Sequence, residues 1–163
     1  MRLFSITTCR TAERLSDIAL TRLAAEGVRG IILDLDNTTL GYGRDDISAE
    51  VKAWVAQALE MNFSLVLLSN NFTQRARRVS AELGIAAIAG ALKPLPHGFA
   101  RARALMGTTK AQTIVVGDQL FTDVLGARLS GLRVILTEPI ESHDWLGTRV
   151  LRFLERAVLG RRS

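Results

Sequence analysis

Five short apolar runs alternate with stretches of helical periodicity, and this alternation constrains the fold more than any other feature. The runs are Gly30-Ile31-Ile32-Leu33 with its continuation to residue 35, Leu65 to Leu68, Ile85 to Ala89, Thr113 to Val116 and Val134 to Leu136. They are short, mostly without polar alternation and rich in branched residues, as strands buried on both faces must be. Between them the apolar residues recur at helical spacing. Thr11 to Glu26 places Leu15, Ile18, Ala19 and Leu23 on one face. Ser48 caps a segment carrying Val51, Trp54, Val55, Ala58 and Leu59. Thr73 opens a helix to Leu83 with Gly84 as its stop, Pro96 opens one closing near Gly107, and Phe121 to Ser130 ends at Gly131. A last helix is expected from about Trp145 to Leu159. Strands alternating with helices predict βαβ units with right-handed crossovers. The expectation is an α/β, three-layer α/β/α fold with a five-stranded, mainly parallel sheet. It forms one domain over residues 1–163, with no segment left for a large cap domain.

Composition narrows the setting. Hydrophobic residues make up 48% and charged residues 23% of the 163, an ordinary globular balance. Cys9 is the single cysteine, so no intrachain disulfide can form, which fits a reducing compartment. The purely apolar runs are far shorter than the ~20 residues a bilayer-spanning helix requires. Met1 to Ser5 lacks a secretory apolar core, and Glu13, Asp17 and Glu26 dilute the early arginines Arg10, Arg14, Arg22 and Arg29. A cytoplasmic location is expected. The net charge of +5 suits nucleic acid, an anionic membrane or a phosphorylated substrate. No basic and aromatic residues interleave, so no nucleic-acid partner is expected.

The chemistry starts where the first strand ends, in Asp34-Leu35-Asp36-Asn37-Thr38. In an open parallel sheet, ligands bind at the carboxyl ends of the strands. Two carboxylates there repel one another and are costly to bury. A divalent cation relieves that cost, and the pair becomes useful: one carboxylate can attack while the other moves a proton. Three later strands end in complementary residues. Ser69-Asn70-Asn71 offers a hydroxyl and backbone amides for phosphate oxygens. Lys93-Pro94 offers one positive charge at a fixed place. Gly117-Asp118-Gln119-Leu120-Phe121-Thr122-Asp123 offers close backbone approach and two carboxylates suited to a hard cation such as Mg²⁺. Each piece alone is a common loop. Their order, and their position at the same end of one sheet, make a site of them.

As a set, these motifs resemble the four motifs of the haloacid dehalogenase superfamily of phosphotransferases, over roughly residues 28–140. The stretch Gly117 to Gly126 is similar to that of the YqeG-type branch, subfamily IIIA, which includes phosphatidylglycerophosphate phosphatases. Thr39 and Ala127 depart from the usual pattern, where an apolar residue and a glycine are common. The resemblance implies a Rossmann-like fold with strand order 3-2-1-4-5, placing Asp34 and Asp118 across the switch point. It implies Asp34 as the nucleophile and Asp36 as general acid and base. It implies Asp34, the Asp36 carbonyl and Asp118 as Mg²⁺ ligands. Ser69 would bind the phosphate with amides near Asn37, Thr38 and Asn70. Lys93 would screen the nucleophile and the phosphoryl group, with Asp123 supporting Lys93 or a metal-bound water.

The expected function is thus a Mg²⁺-dependent phosphomonoesterase working through an aspartyl-phosphate, with phosphatidylglycerophosphate as a candidate substrate. The alternatives are a soluble sugar phosphate or nucleotide, or a catalytically weak binding protein of the same fold. The second carboxylate, Asp36, favours an enzyme. Arg149, Arg152, Arg156, Arg161 and Arg162 form a basic C-terminal face opposite Leu146, Val150 and Leu154. That face is either simply solvated or a peripheral contact with an anionic membrane, at its cytoplasmic surface. His97 and His143 lack partners for metal binding, and Gly107-Thr108-Thr109-Lys110 lacks the order of a nucleotide-binding loop.

Overall fold

The computed structural model describes residues 10–41, 46–71 and 74–140. Eleven strands and helices follow one another: β1 (Arg10–Ala12), α1 (Leu20–Ala25), β2 (Gly30–Asp34), α2 (Ala49–Glu60), β3 (Ser64–Leu68), α3 (Gln74–Leu83), β4 (Ala86–Ile88), α4 (Pro96–Met106), β5 (Thr113–Gly117), α5 (Leu125–Leu129) and β6 (Arg133–Thr137). The six strands form one sheet in the order β1-β6-β5-β2-β3-β4, and every neighbouring pair is parallel. Counted from β2, this is the order 3-2-1-4-5, with β1 added at the far edge.

Strand alternation sorts the core into two layers. Ile31 and Leu33 of β2 join Ile114 and Val116 of β5 in a cluster with Trp54 and Val55 of α2 and Val79 of α3. Ile32 and Val115 point the other way, into a cluster with Phe99 and Ala102 of α4 and with Ala127 of α5. Both faces of the central strands are therefore covered, as their unbroken apolar runs require. Ala127 fits there because it is fully buried against the sheet, while Gly126 must stay a glycine: a Cβ at 126 would lie 2.5 Å from the Phe99 ring. Trp54 is buried, and its indole N–H donates to Ile18 O at 2.9 Å.

Two expectations change. The sheet has six strands because Arg10 to Ala12, whose Thr11 was expected to begin a helix, pair with Ile135 to Thr137. The rest of the expected Thr11 to Glu26 helix breaks into a 3₁₀ turn at Leu15–Asp17 and the short α1. Asp17 accepts from the Arg14 amide at 3.0 Å and fixes that turn. Leu15, Ile18 and Leu23 are buried all the same, but Ala19 is exposed and Leu20 is buried, so the helical spacing marked most of the inward residues but not the backbone. The second change is in Phe121 to Ser130, where a π-type turn at Leu120–Val124 precedes α5. Thr73, Tyr42, Gly43, His143 and the helix expected from Trp145 to Leu159 lie outside the described residues.

Candidate active site

β2 and β5 are neighbours, yet their following chains diverge, β2 toward α2 and β5 toward α5. The crevice between their carboxyl ends receives Asp34 and Asp118. Lys93 reaches it from the loop after β4. Its ammonium donates to Asp34 Oδ1 and, at 2.7 Å, to Asp123 Oδ1, and all three side chains are buried. Asn70 holds this lysine in place with a two-point clamp on its backbone. The Lys93 amide donates to Asn70 Oδ1 at 2.6 Å, and Asn70 Nδ2 donates to Lys93 O at 3.0 Å. The Asn70 side chain thus serves the lysine loop.

Asp123 comes into the crevice because residue 117 has no side chain. A Cβ at Gly117 would lie 2.4–2.6 Å from the Asp123 side chain. The π-type turn then delivers Asp123, whose second oxygen accepts from the Gln119 amide at 3.2 Å. Asp123 is therefore fully engaged within the protein. Asp34 Oδ2 and Asp118 Oδ2 are buried and have no hydrogen-bond partner, a costly state for a carboxylate unless a ligand completes it. Oxygens of Asp34, Asp118 and Asp123 lie within 4.8 Å of one another. One ammonium among three carboxylates leaves excess negative charge, and the donors are all hard oxygens. A divalent cation fits this set, with Asp34 and Asp118 as the donors still open.

The electrostatics agree. Burial pushes the Asp34 carboxyl well above its ordinary range; Lys93 opposes this and the charges of Asp123 and Asp118 add to it. Asp118 is pushed up to about 7, first by burial and then by Asp123. Burial pulls the Lys93 ammonium down, but Asp123 and Asp34 outweigh it and the net direction is upward. Lys93 is a fixed cation.

Ser69 is buried, and its Oγ accepts from the Asn71 amide at 3.1 Å. Thr38 Oγ1 donates to Asp118 Oδ1 at 3.4 Å, joining the two motifs across the crevice. The Asn37 amide is committed to Leu40 O at 2.8 Å, and Asn37 takes a left-handed conformation that tightens the turn after β2. Thr39 donates to Asp34 O at 2.7 Å, so its hydroxyl braces the backbone at Asp34.

Asp36 sits at the rim and has partners that the sequence did not reveal. Arg75 of α3 donates to its Oδ1 at 3.0 Å, and Asn71 Nδ2 donates to its Oδ2 at 3.0 Å. Arg75 also donates to Gly41 O. An arginine on a helix of mixed charge carries no signal of its own; only the approach of α3 to the loop after β2 selects it. Beside Thr38, on the α2 side of the sheet, lies a cleft of about 570 Å³, lined among others by Glu13, Arg14, Asp46, Glu50, Thr137 and Glu138. His97 is exposed, in the first turn of α4.

The profile of one family, described as haloacid dehalogenase-like hydrolase, matches residues 12–131. The chain is 38% identical over 138 residues to a protein named "Probable phosphatase YqeG" from Bacillus subtilis, covering 85% of this chain and 80% of that one. It is 27% identical over 150 residues to the Arabidopsis thaliana phosphatidylglycerophosphate phosphatase 1, covering 85% of this chain but only 43% of the plant protein. Among solved structures, a 4-nitrophenylphosphatase from Thermotoga maritima superposes with a TM-score of 0.61 at 13% identity, covering 76% of this chain and 91% of that one.

Proposed function

The chain belongs to the haloacid dehalogenase-like hydrolase family and is a phosphoric monoester hydrolase, and we propose that it works through a phosphoryl-aspartate on Asp34 with Mg²⁺ as its cofactor. The observation that carries this reading is the buried Asp34–Lys93–Asp123 chain beside two carboxylate oxygens, on Asp34 and Asp118, that the protein leaves without partners.

Asp34 attacks phosphorus, and the bond from phosphorus to the leaving oxygen breaks. Asp36 gives its proton to that oxygen. It then takes a proton from a water that attacks the phosphoryl-aspartate, and the bond between phosphorus and Asp34 breaks to release phosphate. Ser69 and the neighbouring amides, including those near Thr38 and Asn70, hold the phosphate oxygens. Lys93, fixed by Asp123 and Asn70, keeps its charge beside the nucleophile throughout. Mg²⁺ held by Asp34, Asp118 and the Asp36 carbonyl would neutralise the carboxylates and the incoming phosphate.

The similarity to the plant phosphatase supports a phospholipid monophosphate such as phosphatidylglycerophosphate, met at the cytoplasmic face of a membrane. No described helix is long and apolar enough to cross a membrane. A soluble phosphorylated metabolite is the second reading. The cleft beside Thr38 favours it, because carboxylates there can accept from the hydroxyls of a sugar-like leaving group.

Phosphate release by the purified protein tests the reading, with phosphatidylglycerophosphate in mixed micelles beside soluble esters, with and without Mg²⁺. Turnover should require the metal, disappear with a chelator and be abolished in Asp34→Asn with the fold intact. Near-normal activity in Asp34→Asn would remove the covalent mechanism. An unchanged Mg²⁺ titration in Asp118→Ala would remove Asp118 from the ligand set.

A further inference from the structure

We infer that the mouth of the active site is itself a docking surface for an anionic phospholipid membrane, built by Leu92, Leu95, Leu120 and Phe121. This deepens the phosphatase reading and rests on it for the chemistry at the centre. These side chains are 51%, 52%, 45% and 57% exposed. Four of the eight large apolar side chains exposed among the described residues thus fall in the two loops that hold Lys93, Asp118 and Asp123. The other four, Leu59, Leu105, Leu129 and Ile140, lie on three separate helices and after β6.

The two loops form one rim. Lys93 of the first bonds Asp123 of the second at 2.7 Å. A Cβ at Gly126 would lie 3.1 Å from Pro94 Cα, so the backbones are in close approach as well. The Leu95 amide donates to Leu92 O at 2.9 Å, closing a turn with a leucine at each end. In both loops the usual order is inverted: Lys93 and Asp123 are buried while the large apolar side chains face out. A single exposed leucine needs no explanation, but a cluster around a reaction centre marks an interaction surface.

What covers this rim must also deliver a phosphate ester to the crevice. A second copy of the chain seated there would block the mouth, whereas a lipid surface presents phosphate and hydrocarbon together. The headgroup meets Lys93 and Ser69 while the rim residues enter the acyl boundary. Charge agrees with an anionic surface, since the chain carries +5, with five arginines against Glu155 between Trp145 and Ser163.

The test compares the wild-type chain with Leu95→Gln/Phe121→Gln, and with Leu95→Met/Phe121→Leu, which retains apolar area. Binding to sedimented vesicles of phosphatidylglycerol and phosphatidylcholine is measured across a salt series, beside hydrolysis of p-nitrophenyl phosphate. Wild type and the apolar control should partition to the vesicles, and the glutamine variant should lose at least about tenfold at every salt concentration. Its p-nitrophenyl phosphate hydrolysis should be unchanged. Equal partitioning of all three proteins, or none by wild type, would overturn the inference. So would sedimentation velocity showing a wild-type dimer, broken by the glutamines, with no vesicle binding: the rim would then join two copies. Loss of Mg²⁺-dependent p-nitrophenyl phosphate hydrolysis in wild type would instead sink the phosphatase reading, while the vesicle comparison would still decide the rim.

Discussion

In the proposed mechanism Asp36 exchanges a proton, yet both its oxygens are held, one by Arg75 and the other by Asn71. Arg75 bridges this carboxylate to Gly41 O and so fixes where Asp36 stands relative to the crevice. Arg75→Met should therefore act through Asp36 and leave the nucleophile untouched. A general acid contributes about 10²–10⁴-fold, and most where the leaving oxygen is a poor leaving group. Asp36→Asn should lose at least about 10²-fold on an alkyl phosphate and less on p-nitrophenyl phosphate. Arg75→Met should show the same bias with a smaller loss, about tenfold. Plotting log kcat against leaving-group pKa checks both variants. A uniform drop across leaving groups would take Asp36, and Arg75 behind it, out of proton transfer.

At the scale of elements, the site depends on where β5 ends and how α5 begins. Gly117 leaves the space that Asp123 fills, and the π-type turn aims Asp123 at Lys93. Gly117→Ala should force Asp123 aside, leaving Lys93 short of a buried partner. The overpacking alone should cost about 1–3 kcal/mol, read from urea unfolding, and kcat should fall with it. Ser48→Ala is the contrasting case. Ser48 caps α2 by accepting from the Val51 amide at 3.3 Å, so its loss should cost about 1 kcal/mol with kcat unchanged. If Gly117→Ala proved as harmless to turnover as Ser48→Ala, Asp123 would have no bearing on the reaction.

For the whole molecule, the buried carboxylates tie stability to pH and metal. Asp118 titrates at about 7 in the folded protein and near 4 in an unfolded chain. Between these values the folded state holds the proton and the unfolded state does not. Stability without metal should therefore be full on this account below about pH 4, and fall as pH rises through about 7. The upward shift at Asp34 acts in the same direction. A cation bound by ionised carboxylates reverses the trend, because it binds only the folded site. Thermal melts should show Mg²⁺ raising Tm more at pH 8 than at pH 5. An equal rise at both values, or none, would argue against Asp118 and Asp34 as its ligands.

The strand runs and the four polar loops were readable because they depend on local constraints, whereas the order of strands in the sheet was expected only from the family resemblance. A strand covered on both faces must be apolar, as Ile31 to Leu33 and Ile114 to Val116 are, and a phosphate site needs carboxylate, hydroxyl and ammonium at strand ends. Asp34, Ser69, Lys93 and Asp118 were candidates on that ground, and the fold brings Asp34 together with Lys93 and Asp118. Residues 10–12 were not, because a three-residue edge strand is defined by its partner β6 and not by its own periodicity. Arg75 escaped notice for the same reason, being one of three arginines on α3 until the fold sets it against Asp36. The Asn70 clamp on Lys93 and the space at Gly117 for Asp123 also join residues six to twenty-three positions apart. Local preference shapes elements, but these contacts arise only when distant segments are packed together, and tertiary structure alone decides them.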